Sequence, residues 1–259
     1  MVNSLKNFFR YRFLLAELVK RGIRLRYRKS YLGLFWTLLE PILNTIVLTI
    51  VFGTLLNKGD ALFPVYILSG RILFSFFSQS TTAAMKAIRN NSGMIKKVYV
   101  PKYLYPLANI LSNYIISLLS LVVLIGAMLI FRVPPTWHLI EGLIPLVTTL
   151  ILCYGVGLIL ATLNVFFRDM EYIWNVATTL IMYASAIFYK ADVLLKSSHA
   201  WIIKFNPMFG IIQNFRNAIL YGAPMDTKMC LYSTCFALMT VVVGTYMFHK
   251  FQDKFILYI

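Results

Sequence analysis

Runs of about twenty apolar residues recur along this chain. Each is long enough to cross a bilayer as a helix, which constrains the fold more than any motif does. Six are read from the sequence: Trp36–Leu56, Val65–Met85, Leu107–Phe131, Leu143–Phe167, Tyr172–Phe188 and Met229–Phe248. The second carries Arg71 and a polar stretch from Ser78 to Thr82, and the fifth is short. Only 13% of the residues are charged, where a soluble domain carries about 25%. An ordinary cytosolic enzyme and a disordered chain are thereby excluded. The expected fold is an all-α polytopic membrane protein: a cytoplasmic segment over 1–35, one transmembrane domain over 36–248 and a cytoplasmic tail over 249–259.

Charge placement sets the expected orientation. Residues 1–35 hold nine Lys/Arg, and the loop between the second and third runs holds Lys86, Arg89, Lys96, Lys97 and Lys102. Lys58 alone lies between the first and second runs, and Arg132 alone between the third and fourth. Basic loops stay inside, so both termini and residues 86–106 are expected in the cytoplasm and residues 189–228 outside. The outer segment carries five Lys/Arg of its own, which a long loop tolerates. The net charge of +16 reads as this topology plus attraction to anionic lipid, and no nucleic-acid partner is expected.

Residues 5–21 read as an amphipathic helix lying in the interface. Lys6, Arg10, Glu17, Lys20 and Arg21 fall in one arc, opposite Leu5, Phe8, Phe9, Tyr11, Leu15, Leu18 and Val19. It serves either as a surface anchor or as a docking element for a cytosolic partner. In the outer loop, Met208–Leu220 has apolar residues at helical spacing but is too short to span. It fits re-entrant or interfacial helices broken near Asn206-Pro207.

Catalytic patterns are absent from the sequence. There is no G-x-x-x-x-G-K-[ST], H-E-x-x-H or G-x-S-x-G. Cys153, Cys230 and Cys235 sit in apolar runs, and His138, His199 and His249 are far apart, so neither disulfides nor a metal site is expected. No secretory signal peptide is expected either. Glu40 and Arg71 stand inside apolar runs, where a charge is costly and often functional; snorkelling toward a helix end is the alternative. Arg168-Asp169-Met170-Glu171 reads as a tight turn with Asp169 capping the next helix, or as a contact with a cytosolic subunit. Tyr and Trp at run ends, Tyr66, Trp137, Tyr172 and Trp174 among them, read mainly as an interfacial belt.

The segment from Leu25 to Pro41, L-R-Y-R-K-S-Y-L-G-L-F-W-T-L-L-E-P, resembles the opening motif of the ABC transporter type-2 permeases that export polysaccharides. Further matches follow in order: Asn91 to Pro106, Phe166-Phe167-Arg168-Asp169-Met170, Asn206-Pro207 followed by Phe215-Arg216, and Phe251-Gln252-Asp253. They cover nearly the whole chain. Arg71 departs from the pattern, since family members more often have an apolar or aromatic residue near it. The resemblance implies six transmembrane helices, an N-terminal interface helix and outer re-entrant helices before the last span. It implies a homodimer in the bacterial cytoplasmic membrane, driven by two copies of a separate ATPase. ATP and Mg would bind that partner, and this chain would bind no cofactor. The cargo would be a lipid-linked glycan of the O-antigen, capsule or teichoic acid type.

On that reading Arg26, Arg28 and Lys29 are expected to attract the phosphates of the cargo at headgroup depth; holding the helix end against anionic lipid is the alternative. Tyr31, Phe35, Trp36 and Glu40 stand beside them; Tyr31 and Phe35 share a face if the helix begins there. Arg10, Glu17, Lys96, Lys97, Arg168 and Asp169 are expected to couple to the ATPase. A type-2 permease for a small drug or lipid is the nearest alternative. An ion-coupled secondary transporter would show repeats that are absent here, and a membrane glycan-synthesising enzyme would need carboxylates that are missing.

Overall fold

The computed structural model describes residues 11–28, 30–56, 61–98, 100–191 and 200–258. All regular structure among them is helical. The principal helices are α1 (Arg12–Tyr27), α2 (Trp36–Leu56), α3 (Phe63–Asn90), α4 (Leu104–Ile130), α5 (Leu143–Phe166), α6 (Met170–Ala184), α7 (Pro207–Arg216) and α8 (Thr227–Phe251). Single helical turns add Ser92–Ile95, Ala200–Lys204 and Phe255–Tyr258. Each apolar run has become a helix, and α2 has the bounds read from the sequence.

Four helical stretches among the described residues are long and apolar enough to cross a membrane: Gly33–Gly53, Leu104–Ile130, Trp137–Phe166 and Thr227–Tyr258. α3 has the length, at 28 residues and about 42 Å, but its polar residues take it out of that class. α6 is 15 residues long, about 22 Å, and is too short.

α3 is the buried centre. Its apolar faces, with Phe63, Ile67, Leu73 and Phe77, pack against α4, α5 and α7 in one large core. α5 and α8 approach closest. A methyl group built on Gly155 would lie 2.5 Å from the backbone of Thr240 and Val241, and one on Gly244 would lie 2.5 Å from the Gly155 carbonyl oxygen. Small residues at such crossings let backbones meet where lipid supplies no hydrophobic drive.

α1 lies across the start of α4. Leu15 and Val19 bury against Leu104 and Ala108, and the Ser112 hydroxyl donates to the Val19 carbonyl at 3.2 Å. Glu17, Lys20, Arg21 and Arg24 face outward. The amphipathic helix therefore continues past Arg21 to Tyr27, and its expected first part, residues 5–10, lies outside the described residues. The chain then turns through Gly33 at φ +49°, a conformation glycine adopts freely, and a short 3-10 segment leads into α2 at Trp36. Tyr31 thus precedes the helix and does not share a helical face with Phe35.

The segment from residue 200 holds two short helices, broken at Asn206-Pro207. Ala200–Lys204 is followed by α7, whose start is capped by the Asn206 side chain accepting from the Met208 amide at 3.0 Å. Asp169 stands at the N-cap of α6 as expected but makes no side-chain capping bond. Two residues assigned to the belt are inside the bundle. The Trp174 indole donates to the Thr81 hydroxyl at 3.1 Å, and the buried Tyr66 hydroxyl donates to the Ala186 and Tyr189 carbonyls.

Candidate functional site: a polar cleft between helices 2, 3 and 4

One face of α3 is polar along most of its length: Arg71, Ser75, Gln79, Thr82, Lys86 and Asn90. Steps of three and four residues keep them in one stripe. α4 sets Asn109, Asn113, Ser117 and Ser120 beside it, again at helical spacing. α2 brings Thr37, Glu40 and Asn44 to the same place. Together with Arg26 and Tyr27 these residues line a cleft of about 50 Å³, continuous with a second polar hollow that reaches Lys86 and Asn90. The volume admits ordered water, which such polar walls can hold.

Arg26 crosses the junction of the two hollows. Its Nη1 donates to Asn113 Oδ1 and its Nη2 to Gln79 Oε1, both at 2.7 Å. One guanidinium thereby ties the end of α1 to α3 and α4. Asn109 and Asn113 donate onward to the Ala83 and Asn109 carbonyls, at 3.0 and 3.1 Å. Glu40 stands at the open side, within Coulombic reach of Arg71, but no ion pair joins the two.

The structure thus brings together two of the residues proposed for cargo, Arg26 and Glu40, and adds Arg71, Gln79 and Asn113. Tyr31, Phe35 and Trp36 are exposed outside the cleft. Arg28 lines a different, basic hollow with Glu17, Arg21 and Arg24. Lys29 and Arg10 lie outside the described residues. Lys96, Lys97, Arg168 and Asp169 are exposed on turns at the same end of the bundle as Lys86 and Asn90. The stripe on α3 was available to sequence reading as a period of four, but its partners on α4 became neighbours only through packing.

At the Asn90 end of the stripe Glu171 gathers three helices. Its oxygens lie 2.9 Å from Lys86 Nζ and from Arg89 Nη1, and Asn164 Nδ2 donates to it at 3.5 Å. Chiefly the Lys86 hydrogen bond, then the charges of Lys86 and Arg89, hold the Glu171 carboxyl below its ordinary pKa. A carboxyl depressed in the fold adds stability above its unfolded pKa and loses it as pH falls through the folded value. Acidification from about pH 5 to about pH 3 should therefore lower the melting temperature more in the native chain than in Glu171→Gln. Equal losses would remove the carboxylate from this role.

A second hollow, of about 890 Å³, opens between α6, the outer helices and α8. Its wall is almost wholly apolar, with Trp174, Ile181, Trp201, Phe205 and Phe236.

Residues 14–220 match the ABC-2 type transporter family. The chain belongs to that family. Among its relatives this ABC-2 chain is 26% identical over 245 residues to the O-antigen export system permease protein RfbA of Klebsiella pneumoniae, covering 93% of each chain. It is 30% identical over 224 residues to RfbA of Myxococcus xanthus, covering 85% of each. The polysialic acid transport protein KpsM of Escherichia coli is 26% identical over 240 residues, 90% of this chain and 91% of that one.

Proposed function

We propose that this chain is the membrane permease subunit of an ABC exporter that moves a lipid-linked polysaccharide across the cytoplasmic membrane. The polar cleft along α3 is the observation that carries this reading. A stripe of hydroxyls, carboxamides and cations about 28 Å long, from Arg71 to Asn90, offers hydrogen bonds to a hydroxyl-rich cargo through most of a bilayer's thickness. The similarity to O-antigen and polysialic acid transport proteins points the same way. The sequence has no phosphate-cradling loop, so ATP and Mg bind a separate ATPase in this reading.

The chain crosses six times, with α3 included and α6 completed by the turns that follow it through Phe188, and both termini lie in the cytoplasm. It works as a homodimer with two ATPase copies. α2 supports the dimer: it is only about one-tenth buried within its own chain, and Ile42, Leu43, Ile46, Val47 and Ile50 are exposed on it. The ATPase docks on the exposed Glu17 face of α1 and the turns carrying Lys96, Lys97, Arg168 and Asp169. A second reading, a lipid permease, is favoured by the 890 Å³ apolar hollow alone.

Deleting the gene should abolish a surface glycan and accumulate its lipid-linked form inside, and the native gene should restore export. Unchanged surface glycan would refute the reading. An impermeant thiol reagent should label Trp201→Cys from outside intact cells and fail on Lys97→Cys; the reverse would overturn the orientation.

A further inference from the structure

The Arg71 guanidinium is the least satisfied group in the cleft. Within hydrogen-bond distance among the described residues it has one acceptor, the Met182 sulfur, 3.6 Å from Nη1. A thioether accepts weakly, and a guanidinium carries five donors in a fixed fork. Arg71 is also out of reach of the helix end. Eight residues separate it from Phe63, about 12 Å along α3, and it is half-buried there. A cation at that depth needs an anion or a polar cavity.

Glu40 does not fill that need. It shares the cleft and acts on Arg71 at a distance, but no carboxylate oxygen comes within ion-pair reach. Two cations, Arg26 and Arg71, face a single acid in the cleft. Arg26 already spends both terminal nitrogens on Asn113 and Gln79. Both guanidinium ends of Arg26 are thus engaged, and the unengaged donors in the cleft are those of Arg71. Gln79, whose oxygen is taken by Arg26, keeps its NH₂ as a donor just over two turns, about 12 Å, away, and Ser75 lies between them on the stripe.

We propose that Arg71 is a binding site for an oxyanion on the transported polymer, so that the cargo is an acidic glycan bearing carboxylate or phosphate groups. This rests on the exporter reading above and names its substrate class. A planar guanidinium matches both oxyanions with two parallel hydrogen bonds. Before cargo arrives, Glu40 and cleft water shield the charge; the oxyanion displaces the water and takes the fork. Glu40 then opposes binding, which gives the proposal its own signature.

The full chain in nanodiscs would be titrated with three probes: an oligosialic acid, a glycerol-phosphate oligomer and a neutral mannose oligomer of equal length. One or both acidic oligomers should bind at least tenfold tighter than the neutral one. Arg71→Gln should erase that preference, and Arg71→Lys should recover only part of it. Glu40→Gln should tighten acidic binding severalfold. Preference for the sialic oligomer alone would assign a carboxylate, and for the phosphate oligomer alone a phosphate. No preference in the native chain, or one that survives Arg71→Gln in protein of native melting temperature, would overturn the proposal. So would Glu40→Gln lowering the melting temperature without raising affinity, since the two charges would then serve only each other. If gene deletion abolishes surface glycan while Arg71→Gln exports it normally, this site fails and the exporter reading stands. If deletion leaves surface glycan unchanged, the exporter reading itself fails.

Discussion

Replacing Arg216 by Met should cost this protein more than any other single change to an outer-segment side chain. Arg216 is fully buried at the end of α7. Its Nε and Nη2 donate to the Tyr66 carbonyl at 3.3 and 3.2 Å, Nη1 to the Ala186 carbonyl at 3.0 Å and Nη2 to the Ile187 carbonyl at 3.4 Å. The guanidinium also lies 3.5 Å from the centre of the Tyr66 ring. Ala186 is in the left-handed region at φ +49°, which an alanine adopts only when its surroundings hold it there. Arg216 and the Tyr66 hydroxyl, both on the Ala186 carbonyl, are what hold it. Methionine keeps bulk and removes every donor, at a cost of about 3 kcal/mol or more. Melting curves and monodispersity of the purified protein should both fall sharply. Arg216→Lys should sit between, because a point charge cannot reach three carbonyls at once. A native melting temperature for Arg216→Met would show that the outer segment is held by apolar packing alone.

The second large effect concerns the crossing of α5 and α8. Gly155→Ala adds one methyl, and that methyl meets backbone, at 2.5 Å from Thr240 and Val241. Backbone cannot rotate aside as a side chain can, so the helices must separate, taking Leu158, Ala161 and Phe248 out of contact. Overpacking of this kind costs about 1–3 kcal/mol, and Gly155→Val should cost more. Gly244→Ala should do the same from the other side, since its methyl would reach the Gly155 carbonyl oxygen. Gly126→Ala is the contrast. Nothing lies within 4 Å of a methyl there, and alanine is the better helix former by about 0.5–1 kcal/mol. Loss of folded protein in Gly155→Ala beside unchanged or improved yield in Gly126→Ala would support the crossing. Equal yields would refute it.

Much of this fold could be read before any coordinates. Trp36–Leu56 emerged with its true bounds because an apolar run of full length offers no competing structure. α3 was read five residues short at its inner end. A run-length criterion stops at polar residues, while a helix can continue with its polar residues on one face. α6 was read four residues too long, because what ends it is Ala186, fixed by an arginine thirty residues further on. Tyr66 and Trp174 were assigned to the belt from their place along the chain, and their burial follows from the helix face on which they stand. In the cleft, Glu40 and Arg71 were conspicuous as charges in apolar runs. Gln79 and Asn113 were ordinary polar residues until Arg26 bonded both, and that bond joins positions 53 and 87 residues apart.

The stripe on α3 also bears on how the protein is made. A segment carrying Arg71, Gln79, Lys86 and Arg89 partitions poorly into lipid by itself, since each charge weighs against insertion. Its polar face finds partners elsewhere in the chain: Gln79 on Arg26 of α1, and Lys86 and Arg89 on Glu171 of α6, which the ribosome delivers later. α2, whose one charge is Glu40, is apolar enough over most of its length to enter the bilayer unaided. On the six-span reading, α3 is therefore expected to stay at the translocon until α6 delivers Glu171, so truncating the chain before Glu171 should leave α3 uninserted while α2 stays anchored.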